Sequence, residues 1–231
     1  MKRDLLDELL RARTDRRAVA MLTDLESGEQ RLVAREAVQG EALAKELEEA
    51  FRFDRSGIVR AADGKELFVN VYNPPLKLYV IGAVHLAQAL IPMAKAASYD
   101  VTVIDPRGAF ATEARFPDVE LYAEWPDEVL ADKTLDERTA MVALTHDPKI
   151  DDPALVAALG GRCFYIGALG SKKTNATRHE RLKSKGVTDN ALARIHGPIG
   201  LSIGARGPAE IAVSIMAEMT QVLRLGSAAR S

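Results

Sequence analysis

Gly82, Val84 and Ala87 stand at the three positions where a dinucleotide-binding turn carries glycine. In that pattern the first glycine makes the tight turn, the second lets backbone approach a pyrophosphate, and the third lets helix and strand pack closely. Gly82 suits the first role, and Ala87 is a mild change in the third. Val84 is not mild, because its branched side chain fills space a phosphate would need, which argues against simple NAD(P) binding. His85 follows and opens the helix. In "VTVIDPR" a strand ends with Asp105, about twenty residues past the turn, where a carboxylate would meet ribose hydroxyls. Asp-Pro-Arg is also good turn chemistry, so Asp105 is equally a candidate turn cap. Arg107 beside it offers a cation to a phosphate or to solvent.

Three further clusters carry polar chemistry. "LTHDPKIDDPAL" supplies Thr145, His146, Asp147 and Lys149 just past an apolar run. His146 and Asp147 have the types of an acid/base pair or of a polar-ligand site, while Asp151 or Asp152 would cap a helix starting at Pro153. "CFYIGALGSKKT" runs from an apolar stretch through Gly167 and Gly170 to Ser171 and Lys172. A glycine turn feeding a helix start with a hydroxyl and lysines makes an anion cradle, although GxxxxGK[ST] is absent. Cys163 at its head suits a buried apolar filler better than a nucleophile. "IHGPIGLSIGARGPAEIA" holds Gly197, Gly200, Gly204 and Gly207, implying an unusual backbone path or a close approach. Arg206 lies against the dipole of the helix that follows, a placement an anionic ligand would explain. The four histidines show no zinc-like spacing, so no metal site is expected.

These clusters need a scaffold that brings strand ends together. From residue 76 onward, apolar runs ("LKLYVIGA", "DVTVIDPR", "VELYAE", "TAMVALTHD", "CFYIGALG") alternate with helical patterns at 86–97, 126–130, 153–159 and 173–185. Such alternation predicts an α/β fold with a Rossmann-like parallel sheet flanked by helices. Residues 208–223 form the clearest amphipathic helix, with Pro208 in its first turn. Residues 1–75 differ. An amphipathic helix, a hairpin turning at 27–29, a helix at 41–51 and a hairpin turning at 62–64 describe a small α+β module. Asn73-Pro74-Pro75 closes it, giving domains 1–75 and 76–231.

The net charge of −2 gives no reason to expect nucleic acid or an anionic membrane as a partner. One cysteine permits no internal disulfide, and a cytoplasmic location is the simplest expectation. No apolar run reaches the roughly 18 residues that span a bilayer, and the charged first helix lacks the apolar core of a cleavable signal.

The ordered set "IGAVHLAQAL", "VTVIDPR", "ARFPD", "ALTHDPKIDDPAL", "YIGALGSKKT" and "IHGPIGLSIGARGPAEIAVSI" resembles the XdhC/CoxI family over residues 78–224. These are the accessory factors of xanthine dehydrogenase and related molybdenum hydroxylases. The resemblance implies a carrier more than an enzyme. Its cargo would be the molybdenum cofactor, as molybdopterin or its dinucleotide form, protected during sulfuration and passed to an apo molybdenum hydroxylase. Carried over residue by residue, it implies binding positions at Gly82, His85, Asp105, Arg107, His146, Asp147, Lys149, Gly167, Gly170, Ser171, Lys172, Gly200, Gly204 and Arg206, with Glu210 in the last motif. It assigns no catalytic residue. Members usually have Gly at the position of Val84 and an N-terminal Gly-Gly-Cys-Val-Glu motif. Residues 1–75 contain no cysteine, so the chain resembles a shortened member. A cysteine desulfurase or a fuller homologue would then be a partner, and a homodimer through the small module or the last helix is compatible with the chain. A ligand-free bridging module and an NAD(P)-dependent oxidoreductase are the competing functions.

Overall fold

The structure, a computed structural model, describes residues 2–226. It divides into two compact units, Met1–Pro74 and Pro75–Ser231.

In the first unit, helix α1 (Arg3–Thr14) precedes the hairpin β1 (Val19–Asp24) and β2 (Gln30–Ala34). A 3-10 turn (Arg35–Gly40), which the sequence pattern does not reveal, leads to α2 (Ala44–Phe53) and a second hairpin, β3 (Gly57–Arg60) and β4 (Glu66–Tyr72). The strands make one antiparallel sheet in the order β2-β1-β4-β3. Alternation along β1 serves both faces, as a period of two requires. Val19 and Met21 pack with Leu9 and Ala12 of α1, whereas Ala20 and Leu22 pack with Leu47 and Phe51 of α2.

The second unit contains β5 (Leu76–Ile81), α3 (His85–Ala96), β6 (Tyr99–Ile104), β7 (Glu120–Tyr122), α4 (Pro126–Leu130) and β8 (Thr139–Ala143). It continues with α5 (Pro148–Gly160), β9 (Tyr165–Ala168), α6 (Lys172–Ser184), α7 (Asp189–Leu192), β10 (Ile195–His196) and α8 (Pro208–Leu225). The six strands are all parallel in the order β10-β9-β8-β5-β6-β7. Every residue of β8 is buried, the pattern of a central strand covered on both faces. One face packs on α3 and α8 through Leu90, Ala94, Ile215 and Met219. The other packs on α4, α5 and α6 through Val129, Leu155, Ala158 and Leu182. No helix among the described residues is long and apolar enough to cross a membrane.

Two local expectations need correction, and two short elements go unread. The short α7 and the two-residue β10 carry too little periodicity to stand out in the sequence. Strand β9 begins at Tyr165, two residues beyond Cys163. Helix α5 begins at Pro148, not Pro153: Asp147 caps it by accepting a hydrogen bond from the Lys149 N–H at 2.9 Å. Asp147-Pro148 and Asp152-Pro153 present the same start signal, and tertiary contacts separate them. Asp152 is buried inside the helix because Arg181 of α6 reaches it with Nε at 3.0 Å and an Nη at 3.1 Å, with Lys185 at 3.7 Å.

Candidate functional site

Counted from β5, the strand order is 3-2-1-4-5-6 read from the β7 edge. The chain therefore leaves β5 in one direction and β8 in the other, and the crevice outside their carboxyl ends is the topological switch point where ligands of open parallel sheets bind. The sheet brings the turns after β5, β6, β8 and β9 to the same edge. Gly82, His85, Asp105, Arg107, His146, Asp147, Lys149, Gly170, Ser171 and Lys172 all lie on those turns or the helix starts they feed.

The first turn is held tightly. Gly82 has φ +112°, and a β-carbon there would lie 2.5 Å from Thr145 Cγ2 in the turn after β8. Glycine thus provides both the backbone conformation and the close approach of the two switch-point loops. Asp105 supports this turn from beneath and is 0% exposed. Its Oδ2 accepts from the Ala83 N–H at 2.8 Å and from Arg107 Nη2 at 2.7 Å, while Oδ1 accepts from Arg107 N at 3.0 Å and Nε at 2.9 Å. Burial alone would raise the Asp105 pKa; these donors outweigh it and hold the carboxyl below its ordinary value. The turn-capping reading of Asp105 therefore describes its contacts, and no carboxylate oxygen is presented to a ribose. Arg107 is the outward member of the pair. Its guanidinium lies 4.8 Å from the Phe110 ring centroid and feels the charges of Asp147 and Asp151 across the crevice. Arg115, in the "ARFPD" stretch, donates to the Ala83 carbonyl at 2.9 Å and to the Phe110 carbonyl at 2.8 Å, fixing the same turn.

Across the crevice, His146 takes a left-handed backbone, φ +66°, with its ring exposed. Asp151 holds that turn: its Oδ1 accepts from Thr145 Oγ1 at 2.6 Å, and its Oδ2 from the His146 N–H at 3.1 Å. Asp151 is 1% exposed, and burial pushes its carboxyl up against the opposing donors. Arg178 of α6, also 1% exposed, reaches Asp151 Oδ2 at 3.4 Å and the Leu169 carbonyl at 3.0 Å. Its other Nη donates to Asn175 Oδ1. Asn175 Nδ2 in turn donates to the carbonyls of Gly170 at 2.9 Å and Ser171 at 3.1 Å. Ser171 caps α6 through the Thr174 N–H at 3.1 Å, leaving Lys172 exposed on the first turn. Asn175 and Arg178 are the residues sequence reasoning missed, and Asp151, expected as a helix cap, instead holds the turn after β8. The available signal was the helical spacing of Asn175, Arg178 and Leu182, which puts them on one face of α6.

The remaining glycine-rich motif serves packing more than display. Gly167 lies inside β9, where a β-carbon would meet Ile199 at 2.5 Å. Gly200, φ +88°, lets its loop lie on α8 against Ser214. Its N–H donates at 2.8 Å to Glu218, whose carboxylate also meets His196 Nδ1 at 2.8 Å and the Tyr165 hydroxyl at 2.6 Å. Gly204 has open space around it. At the start of α8, Glu210 Oε2 accepts from the N–H groups of Arg206 at 2.8 Å and Gly207 at 3.3 Å. The helix start expected to share an anionic ligand with Arg206 thus has a carboxylate of its own, as in a capping box.

Residues 78–219 match the XdhC Rossmann domain. The chain belongs to the XdhC family. It is 32% identical over 156 residues to a probable xanthine dehydrogenase subunit of Bacillus subtilis strain 168, covering 67% of this chain and 45% of that protein. To the molybdenum cofactor insertion chaperone PaoD of Escherichia coli K12 it is 30% identical over 151 residues, covering 65% of this chain and 41% of that one. The uncharacterized protein YqeB of the same strain matches at 30% over 156 residues, 68% of this chain and 29% of YqeB. The chain thus spans less than half the length of each of these relatives. The crystal structure of a xanthine dehydrogenase from Bacillus halodurans matches with a TM-score of 0.67 at 22% identity, covering 99% of this chain and 65% of that one. At that identity the likeness is one of fold.

In this XdhC chain the exposed or half-exposed groups at the switch-point edge include His85, Arg107, His146, Asp147, Lys149, Ser171 and Lys172. Cations and hydroxyl or N–H donors dominate that rim, a composition suited to an anionic, hydrogen-bonding ligand. Cys163 precedes β9, at the end of the strand opposite Gly170 and Ser171, and burial pushes its thiol up to about 12. Among the described residues no group of three or more His, Cys, Asp or Glu side chains is placed to hold a metal ion.

Proposed function

We propose that this XdhC-family chain binds the molybdenum cofactor, a phosphorylated pterin, at the carboxyl edge of its parallel sheet and passes it to an apo molybdenum hydroxylase. The cofactor is cargo, and the chain is a maturation factor without chemistry of its own. The observation that carries this reading is the contact of the β5 and β8 turns at the switch point, with Arg107, Lys149 and Lys172 on the turns and helix starts of the same sheet edge. The names of two relatives, a molybdenum cofactor insertion chaperone and a probable xanthine dehydrogenase subunit, support this choice of cargo and recipient. The residues suit a phosphate or a pterin ring better than a nicotinamide dinucleotide: Val84 stands where backbone would meet pyrophosphate, and Asp105 faces inward. Arg107, Lys149 and Lys172 would take the phosphate charge, and His85 and His146 would donate to ring or phosphate oxygens.

Purification under anoxic conditions after co-expression with active cofactor biosynthesis tests this directly. Near-stoichiometric molybdenum and oxidised-pterin fluorescence are expected in the wild-type chain, reduced at least about tenfold in Lys172→Ala and in Arg107→Ala. A chain that is empty, and stays empty when incubated with the released cofactor, overturns the reading.

A further inference from the structure

Two loops of the switch-point edge, 145–147 and 169–171, belong to different strands, yet a continuous polar chain joins them below the surface. It runs from the Thr145 hydroxyl and the His146 N–H to Asp151, from Asp151 to Arg178, from Arg178 to the Leu169 carbonyl and Asn175, and from Asn175 to the Gly170 and Ser171 carbonyls. All three linking side chains are nearly inaccessible: Asp151 1%, Asn175 4% and Arg178 1% exposed. The loop after β10 rests on the same group, because a β-carbon at Gly197 would strike the Asn175 amide.

Fold stability alone is a weak reason for this arrangement. A buried ion pair is often matched in stability by apolar residues of similar volume, and each member must be fully hydrogen-bonded to avoid a penalty. Arg178 does not meet that condition, for its buried Nε has no hydrogen-bond partner among the described residues. What the chain does secure is geometry. It holds His146 in a left-handed conformation that a non-glycine residue avoids without support, and it fixes the spacing of that residue from Ser171 and Lys172.

We infer that Asp151, Asn175 and Arg178 are positioning residues that lock the turns after β8 and β9 into one rigid ligand-gripping unit. They touch no ligand themselves; they set His146 on one turn and Lys172 on the other at a fixed separation. The inference rests on the proposed binding edge for its purpose, but not for its physical content, which the ligand-free chain already possesses.

Amide hydrogen exchange on the ligand-free full chain therefore tests it. In Asp151→Asn, exchange at Leu169, Thr174 and Asn175 rises at least about tenfold, and in Asn175→Ala the same rise is seen at Thr145 and His146. Amides in the middle of β8 stay unchanged in both variants. The reciprocal effect is the deciding signature, since a merely local defect loosens only its own turn. Effects confined to the mutated loop overturn the inference, and so does a uniform rise that includes β8, which would mark a general contribution to stability. A second readout uses the molybdenum cofactor. The losses caused by His146→Ala and Lys172→Ala are non-additive in the wild-type background and additive in Asp151→Asn; additivity in both backgrounds overturns it. If the wild-type chain binds no cofactor, the functional proposal fails while the exchange result still decides the inference.

Discussion

Gly82 and Thr145 meet where two loops that diverge in sequence return to the same crevice, and no side chain fits between them. Gly82→Ala would carry a methyl at 2.5 Å from Thr145 Cγ2 and an L-residue at φ +112°. We expect it to lower unfolding stability by about 2–3 kcal/mol, read from denaturant melts, and to reduce cofactor retention more than Lys172→Ala does, because it parts both loops. Glu218 gives a pH-dependent prediction. Burial opposes its charge, but hydrogen bonds from His196, Tyr165 and Gly200 prevail, so its folded-state pKa lies below the ordinary 4.5. Its stabilising contribution is complete above that ordinary value and is lost as pH falls through the depressed folded value. The thermal midpoint of the wild type should therefore drop below about pH 4.5, and Glu218→Gln should show a lower midpoint at neutral pH and a flatter acid limb. A parallel drop in both proteins would remove Glu218 as a cause. At this scale the sequence displays the residues whose role is local: Gly82 through its turn, Ser171 through its cap. It conceals the roles of Asp151, Asn175, Arg178 and Arg115, because these depend on partners brought close by the fold.

Elements were legible where a period was long enough to express itself. The β5, β6 and β8 runs, the α3 and α8 stripes and both hairpins of the first unit follow from apolar patterning and turn residues. The start of α5 was not, because two Asp-Pro pairs five residues apart carry equal local signals and the choice between them is made by α6. Arg181 and Lys185 draw Asp152 into the helix interior position despite the proline after it, which disfavours helical backbone at the preceding residue. Arg181→Leu tests this coupling of elements. Removing the partner of a well-buried carboxylate costs about 3–5 kcal/mol when nothing replaces it. Here the guanidinium is one-third exposed and Lys185 remains at 3.7 Å, so a loss of roughly 1–3 kcal/mol is expected in equilibrium unfolding. Fraying should concentrate in the first two turns of α5, visible as faster exchange of amides between Ile150 and Leu155. An unchanged melt would show that Lys185 and solvent satisfy Asp152 unaided.

For the whole molecule, the decisive property is that each compact unit owns its core. The parallel sheet packs on α3 and α8 on one face and on α4, α5 and α6 on the other, using residues from Leu76 onward. The antiparallel sheet packs on α1 and α2 in the same way, through residues between Leu5 and Tyr72. The match to the XdhC Rossmann domain falls within the second unit, and every outward group of the proposed binding edge belongs to it as well. A chain of about 150 residues with two buried faces is well above the size at which a single core sustains a fold. We therefore expect the segment Pro75–Ser231, expressed alone, to unfold in one cooperative transition and to keep the circular-dichroism signature of a mixed helix and parallel-strand domain. It should also retain the cofactor within about threefold of the full chain, since less than about 1 kcal/mol separates such affinities. A fragment that folds but does not bind would assign part of the ligand grip to the first 74 residues. A fragment that fails to fold would show that the boundary at Pro74 divides contacts but not stability.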